Sequence, residues 1–439
     1  MLPRNAPRWL DRLSTWLSPF EDCFGHVAQR GAFHRYLCGL LSDSRRKSMS
    51  AMLARVSDPG TYQAFQHFIT HAPWDSARVW RRLLEVVPER RGVVILDDTG
   101  FPKQGTHSVG VARQYSGTLG KIANCQIAVT AALWTGARAW LLGAELYLPD
   151  TWLMPERRAQ ARIPRGRPFQ EKWRLAVTLL RRVRAAGLQI DLVAADAGYG
   201  DAQPFRTALD RLGLAYVVGV SSTLTFWPGM PPLAAPRAYP RGGRPRTRAR
   251  IAGPPSLSAA AWAAAQPGRA WRRVTWRNAT HRPWTAQFLA VRVTPVVLWR
   301  RKQPLVPVWL LCQRPREAMA PGPQDKYYVS NLPATTSLQA LVRAAHQRWA
   351  IEQQYQELKD ELGLDHFEGR TFAGWHRHVV LTALAYAWLQ HERHRRGLRL
   401  PTLPIARAVM TEILTAHFFV THPHYLDTML KLREINLRI

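Results

Sequence analysis

The 439-residue sequence predicts a mixed α/β fold. Three observations predict it. Two β-branched, apolar runs, Val93 to Leu96 and Ile190 to Ala195, each end in aspartate, Asp97 and Asp196. Between and after them the pattern reads strand, hairpin, helix, strand, helix, strand. Far downstream, RWAIEQQYQELK (348–359) has no Gly or Pro and reads as helix. There Arg348, Glu352 and Lys359 share one face, because steps of four and seven residues nearly realign side chains. A solvated face with i,i+4 ion pairs is the plain alternative.

In chain order, residues 1 to about 90 read as short helices joined by tight turns, with SRRKS (44–48) at one joint. That pattern suits either a small DNA-binding unit or a helical cap on a larger domain. The first Asp-terminated strand follows, turned by Gly100 and Pro102, then a loop with Lys103, His107, Arg113 and Lys121. Gln126 to Trp134 and Trp140 to Leu148 read as a strand pair turning at Thr135-Gly136. Glu171 to Ala186 reads as a helix ended by Gly187. After Asp196, Asp201 is placed to cap a helix through Leu212, and Leu214 to Val220 is another strand. Residues 228–267 are rich in Pro, Gly and Arg, a loop or basic clamp. Strands are expected at Trp271 to Trp276, Thr285 to Leu298, Pro307 to Cys312 and Lys326 to Ser330, so 221–335 reads as a β-rich insertion. Ser337 opens the helix that carries Glu352, Phe372 to Arg395 is an apolar helix beside it, and the tail from about 400 holds a short helix.

Sixty-one Lys and Arg against 30 Asp and Glu give +31, and only eight of the cations are lysine. Arginine over lysine has a compositional explanation in a GC-rich genome. A twofold excess of cation over anion does not, and it calls for a polyanion, of which nucleic acid is the commonest. The four cysteines form no CxxC pair, so neither a zinc site nor a disulfide framework is expected, and a reduced cytoplasm fits. The start lacks the apolar core of a signal peptide, and no uninterrupted apolar run reaches the ~18 residues that span a bilayer.

Asp97, Asp196 and Glu352 stand out together. Three carboxylates brought together repel unless a cation sits among them. Mg²⁺ suits such a set, being hard and oxygen-loving. A pair of such ions about 3.5–4 Å apart serves the attacking and leaving oxygens of a phosphoryl displacement.

The chain resembles the DDE transposases of bacterial insertion sequences, in the branch with a Tyr-x2-Arg-x3-Glu-x6-Lys signature. Arg348, Glu352 and Lys359 match that spacing, and Ala345 stands at the tyrosine position. The run from Leu96 to Gln126 resembles the block around the first acid, and ADAGYG (195–200) the second. KYYVSNLP (326–333) and GLDHFEGRTFAGWHRH (363–378) are similar to family text. The resemblance spans roughly residues 5 to 395 in order.

That resemblance implies an RNase H-like mixed sheet with flanking helices, interrupted by a β-rich insertion before the Glu-bearing helix and preceded by a helical N-terminal domain. The expected units are a DNA-binding domain at 1–90, a catalytic core at 91–220 and 336–395, the insertion at 221–335, and a tail at 396–439. The implied activity is transposition: binding of terminal inverted repeats as a homodimer, cleavage, and joining of 3′-OH ends to target DNA with Mg²⁺ or Mn²⁺, two ions. The same acids serve a nuclease that does not join ends, and a DNA-binding remnant would keep only the basic surface. The implied location is the bacterial cytoplasm, at the nucleoid, with no membrane. Asp97, Asp196 and Glu352 are the expected catalytic and metal residues, with Asp98 in reserve for Asp97. Expected DNA contacts are Arg348, Lys359, Lys103, Tyr199 and Arg113. Each has a plainer reading: ion pairing on the helix for Arg348 and Lys359, loop solvation for Lys103, sheet-edge filling for Tyr199. His107 and His346 are ordinary or metal-binding. Trp271, Trp276 and Trp284 are core, or stack on a base at the DNA end, and 234–251 is a basic loop of open use.

Overall fold

The computed structural model describes residues 6–58, 60–117, 119–236, 249–277, 284–315, 325–395 and 402–425. The chain opens with α1 (Ala6–Leu17), α2 (Val27–Leu41), α3 (Met49–Leu53), α4 (Tyr62–Thr70) and α5 (Ser76–Val86). Next come β1 (Arg91–Pro102), β2 (Ala112–Ser116), β3 (Lys121–Trp134), β4 (Ala139–Leu146), α6 (Pro155–Ala161) and α7 (Lys172–Ala185). Then follow β5 (Gln189–Ala195), α8 (Ala197–Gly200), α9 (Gln203–Arg211), β6 (Tyr216–Val220), β7 (Thr225–Pro228), β8 (Leu233–Ala234), β9 (Arg250–Ile251), β10 (Leu257–Ser258) and α10 (Ala259–Ala264). The last part holds β11 (Arg272–Arg277), β12 (Trp284–Pro295), α11 (Val296–Arg300), β13 (Val308–Arg314), β14 (Lys326–Ser330), α12 (Leu338–His346), α13 (Trp349–Gln356), α14 (Phe372–Arg393) and α15 (Leu403–Thr421).

The chain divides into two compact units, one of residues 1–90, 97–188 and 350–439, the other of 91–96 and 189–349. Strand β1 contributes to both. In the second unit the strand order is β10-β7-β12-β13-β14-β6-β5-β1, with β11 on β12. β5 pairs in parallel with both β1 and β6, and the strands beyond β6 are antiparallel. In the first unit β3 neighbours β1 and pairs antiparallel with β2 and β4. The amide of Lys103 reaches Asn124 O, and the Thr130 hydroxyl reaches Asp97 O, so β1 and β3 run antiparallel. The central order β4-β3-β1-β5-β6, with β1, β5 and β6 parallel, is the expected RNase H-like mixed sheet. β14 sits on β6, so the region at 221–335 extends the sheet rather than leaving it. β8 and β9 pair at the two ends of the Arg-rich 234–251 stretch. Its residues 237–248 lie outside the described ones.

The core of the first unit is α14, buried at nearly every position from Phe372 to Glu392. An apolar run buried all round needs partners for its polar groups, and Arg377 and His378 have them. The Arg377 guanidinium donates to the carbonyls of Ile69, Ala72 and Trp74. His378 bonds the Tyr36 hydroxyl at 2.8 Å and Gly363 O at 3.0 Å. Helices α2, α4 and α5 close their apolar faces on α14. In the SRRKS joint, Lys47 is 4 % exposed and donates to Ser42 O at 2.7 Å. Burial, with Arg407 nearby, pushes its ammonium down to about 7.

Four local expectations change. Asp201 does not cap α9; it ends α8 and accepts the Ser221 amide. The run to Leu298 stops as strand at Pro295, whose missing N–H ends the ladder, and continues as α11. The Glu352 helix is not continuous from Ser337: α12 ends at His346 and α13 begins at Trp349. The tail helix is long, 19 residues, and among the described residues it is the one helix long and apolar enough to cross a membrane, at mean hydropathy 1.3. Its buried face, Leu403, Ala406, Met410, Ile413 and Leu414, packs on α14 and α2, and Arg407 pairs with Glu361.

Buried histidines set an acid limit. Burial pushes His376 and His378 down to about 4, so both are neutral at pH 7. The unfolded chain takes these protons near pH 6.5 and the folded one does not. Stability is therefore lost as pH falls from about 6.5 to 4, about 1.4 kcal/mol per pH unit for each histidine. Glu145 beside His376 works at lower pH. Burial pushes its carboxyl up, but His376, Arg167 and Arg182 pull it down to about 2. Its stabilisation is present above the usual carboxylate range and is lost only as pH falls toward 2. Urea midpoints measured from pH 7 to 4.5 should drop steadily; a flat profile would remove the neutral-histidine account.

Candidate active site

Asp97 lies in the middle of β1, which does not turn after the aspartate but runs on through the buried Thr99, Gly100 and Phe101 to Pro102. It is 7 % exposed, its Oδ1 accepting the Asp98 amide at 2.9 Å. Alternation along the strand sends Asp97, Thr99 and Phe101 to one face and Asp98 to the other. Phe101 meets Trp375 of α14 and carries the Lys359 ammonium over its ring. Asp98 instead pairs with Lys172 Nζ at 2.5 Å, at the start of α7. The face shared with the Glu352 segment thus belongs to Asp97.

Three contacts lay the segment 352–367 along the second half of β1. Tyr355, one turn after Glu352, shares a 2.5 Å hydroxyl contact with Thr130, whose hydroxyl also donates to Asp97 O at 3.3 Å. Lys359 Nζ donates to Gly100 O at 2.9 Å. Lys103 Nζ donates to Asp365 O at 3.0 Å and Phe367 O at 2.8 Å. Glu352 itself is exposed in the first turn of α13. At 357–361 the helix widens to π geometry, and Glu357 accepts from the Tyr386 hydroxyl at 3.0 Å.

In the second unit Asp196 caps α8, its Oδ1 accepting the Tyr199 amide at 3.4 Å. The parallel register pairs Leu96 with Ala195, so Asp97 and Asp196 are each the next residue on neighbouring strands. The loop after Asp196 presses backbone to backbone on β6. A Cβ on Gly200 would lie 1.8 Å from Gly219 O, so only glycine fits there.

Among the described residues no three His, Cys, Asp or Glu side chains form a group that would hold a metal ion. The donor chemistry of each carboxylate still suits a hard cation: Asp97 within β1, Asp196 directly after β5, and Glu352 on a helix tied to the second half of β1.

The structure corrects several of the expected DNA contacts. Tyr199 is 2 % exposed and packs on Phe205, so it fills the sheet edge and offers no stacking face. Lys103 and Lys359 spend their ammonium groups on backbone carbonyls, and burial lowers both, opposed by Asp365. They fasten the Glu352 segment to β1. Arg348 sits at the joint between α12 and α13, and Arg113 is exposed on β2. His346 stacks on Trp276 at 3.9 Å, and burial lowers it to about 4; His107 is exposed. Trp271 is buried, Trp276 packs on His346 and Phe288, and Trp284 is 43 % exposed beside Trp349. Thr130 and Tyr355 were not legible as site residues; the spacing of Tyr355 from Glu352 was the available signal. Tyr355→Phe removes that bridge, and a single-turnover cutting rate roughly tenfold lower is expected, about one hydrogen bond in free energy. An unchanged rate would make the bridge structural only.

A family profile described as DDE superfamily endonuclease matches residues 19–283, more than half of the chain. The chain belongs to the DDE superfamily endonucleases. It is 30% identical over 229 residues to the probable transposase for insertion sequence element IS701 of Microchaete diplosiphon, an alignment covering 50% of this chain and 56% of that one. The chain thus spans little more than half the length of that relative. Among solved structures it is similar to the piggyBac transposase synaptic complex with hairpin DNA, at 9% identity and TM-score 0.44, over 91% of this chain and 73% of that one.

Proposed function

We propose that this protein is a DNA transposase that binds the inverted repeats at its element's ends, cleaves there, and joins 3′-OH ends to target DNA. Family membership supports the phosphodiester chemistry. The observation that carries the site is the register of Leu96 with Ala195, which makes Asp97 and Asp196 neighbours in sequence to one paired position. Glu352 is the third ligand, on a helix whose Tyr355, Lys359 and following turn are all bonded to β1 or β3.

Each residue has a task under this reading. Asp97 is mostly buried and keeps its carboxylate aimed by its own backbone. Asp196 is oriented by capping α8. Glu352 stays exposed and reachable by DNA. Bound Mg²⁺ or Mn²⁺, two ions, would supply charge stabilisation at the attacking and leaving oxygens. The surplus cations hold duplex phosphates without reading sequence. Assembly as a homodimer on the ends belongs to the same proposal.

The test is a strand-transfer assay with pre-cut duplex ends and a supercoiled target. Joined products with Mg²⁺, and none with excess chelator, are expected. Cutting without joining would leave a nuclease. Joining in excess chelator would end the metal reading.

A further inference from the structure

We propose that the β2–β3 ribbon is a second DNA-contacting element, which enters the major groove of the duplex beside the cut. The position of the cut rests on the reading above; the contact itself does not.

The ribbon is built to stand out. Register pairs Arg113 with Asn124 and Tyr115 with Ile122, so these four side chains share one face. On it Tyr115 is 63 % and Ile122 62 % exposed, and Arg113 is exposed too. The opposite face is anchored: Ser116 and Cys125 are buried, and Gln114 donates to Cys125 O at 2.8 Å. The base is fastened where Asn124 donates to the carbonyls of Lys103 and Gly105. Lys121 is exposed at the tip. A fixed ribbon with a bare aromatic–aliphatic pair has an unmet partner.

Charge selects that partner. From Thr99 to Ala144 the sequence has no Asp or Glu, while the ribbon itself carries Arg113 and Lys121. A second copy of a chain with net charge +31 would be repelled there; a polyanion is drawn in. The major groove admits a two-stranded ribbon, with apolar side chains against thymine methyls and cations on flanking phosphates. Thr130 stands level with Asp97, and Ile122 lies eight residues further along β3. At about 3.3 Å per residue that is ~26 Å, about eight base pairs at ~3.4 Å each.

The test uses the full chain and a fluorescein-labelled A·T-rich duplex, about 40 base pairs, in which every major-groove position offers a thymine methyl, titrated between about 50 and 200 mM salt. Arg113→Ala with Lys121→Ala is expected to flatten the log–log salt slope by about 1.8, about 0.9 per phosphate lost. Tyr115→Ser with Ile122→Ser is expected to weaken binding roughly tenfold with the slope unchanged. Both pairs should melt like the parent, since the side chains are exposed. Parent-like slope and affinity in both pairs would overturn the proposal. So would parent-like affinity with a dimer lost in sedimentation, which would give the ribbon to a second copy. Cutting by Asp196→Asn, measured alongside, tests the active site separately: its persistence would sink that site, while the salt slope alone decides for or against the ribbon.

Discussion

Asp196→Asn is expected to bind duplex DNA like the parent and to lose Mg²⁺-dependent cutting by about a thousandfold or more. The choice of asparagine follows from the structure. Asp196 caps α8 through Oδ1, and alanine would remove cap and charge together. Asparagine caps a helix as well as aspartate does, so the local fold is kept and only the negative charge goes. Metal-borne stabilisation is worth several kcal/mol at the transition state, and about 4 kcal/mol is a thousandfold in rate. Asp97→Asn should behave alike. Asp98→Asn should be milder, because Asp98 is engaged with Lys172 on the other face of β1. Gel-shift and cutting assays on one duplex substrate read both quantities. Undiminished cutting by Asp196→Asn would remove this residue from the site, and equal losses for Asp97 and Asp98 would remove the face assignment.

Gly200→Ala is expected to be the most damaging single-methyl addition in the second unit. The new Cβ would sit 1.8 Å from Gly219 O and 3.1 Å from Val218 Cβ, so α8 must move off β6. Overpacking typically costs about 1–3 kcal/mol, and here the obstacle is backbone, which does not rotate away. A loss of about 3 kcal/mol in urea unfolding, with cutting abolished through the displaced Asp196, is the expected pair of readouts. Gly198→Ala is the contrast. Its Cβ would meet Asp196 Oδ1 at 3.2 Å, so it should disturb the carboxylate and leave stability close to the parent's. Gly200→Ala within about 0.5 kcal/mol of the parent would contradict the backbone contact.

Much of the strand framework is readable from local pattern. Val93 to Leu96 and Ile190 to Ala195 announce buried parallel strands because β-branched apolar runs have few other uses. The strand-end expectation fits Asp196, which directly follows β5, but not Asp97, since β1 runs on to Pro102. Lys326–Ser330 was found with its bounds, since its neighbours break cleanly. Pattern failed where long-range contact decides. Nothing local breaks the helix between His346 and Trp349, and Trp349 is held by Arg277 and Trp284 from distant strands. Tyr199, Lys103 and Lys359 carry groups suited to DNA, but burial and backbone carbonyls had already claimed them.

By itself, then, the sequence determined the strand cores, the basic excess and the family, because each depends on residue type at short range or on motif spacing. Tertiary structure alone decided that Asp97 rather than Asp98 faces the Glu352 segment, that Lys103 and Lys359 are fasteners, and that Tyr115 and Ile122 stand bare. Those outcomes depend on which face of a strand is covered by chain hundreds of residues away, and pleat alternation offers both faces equally until that cover arrives.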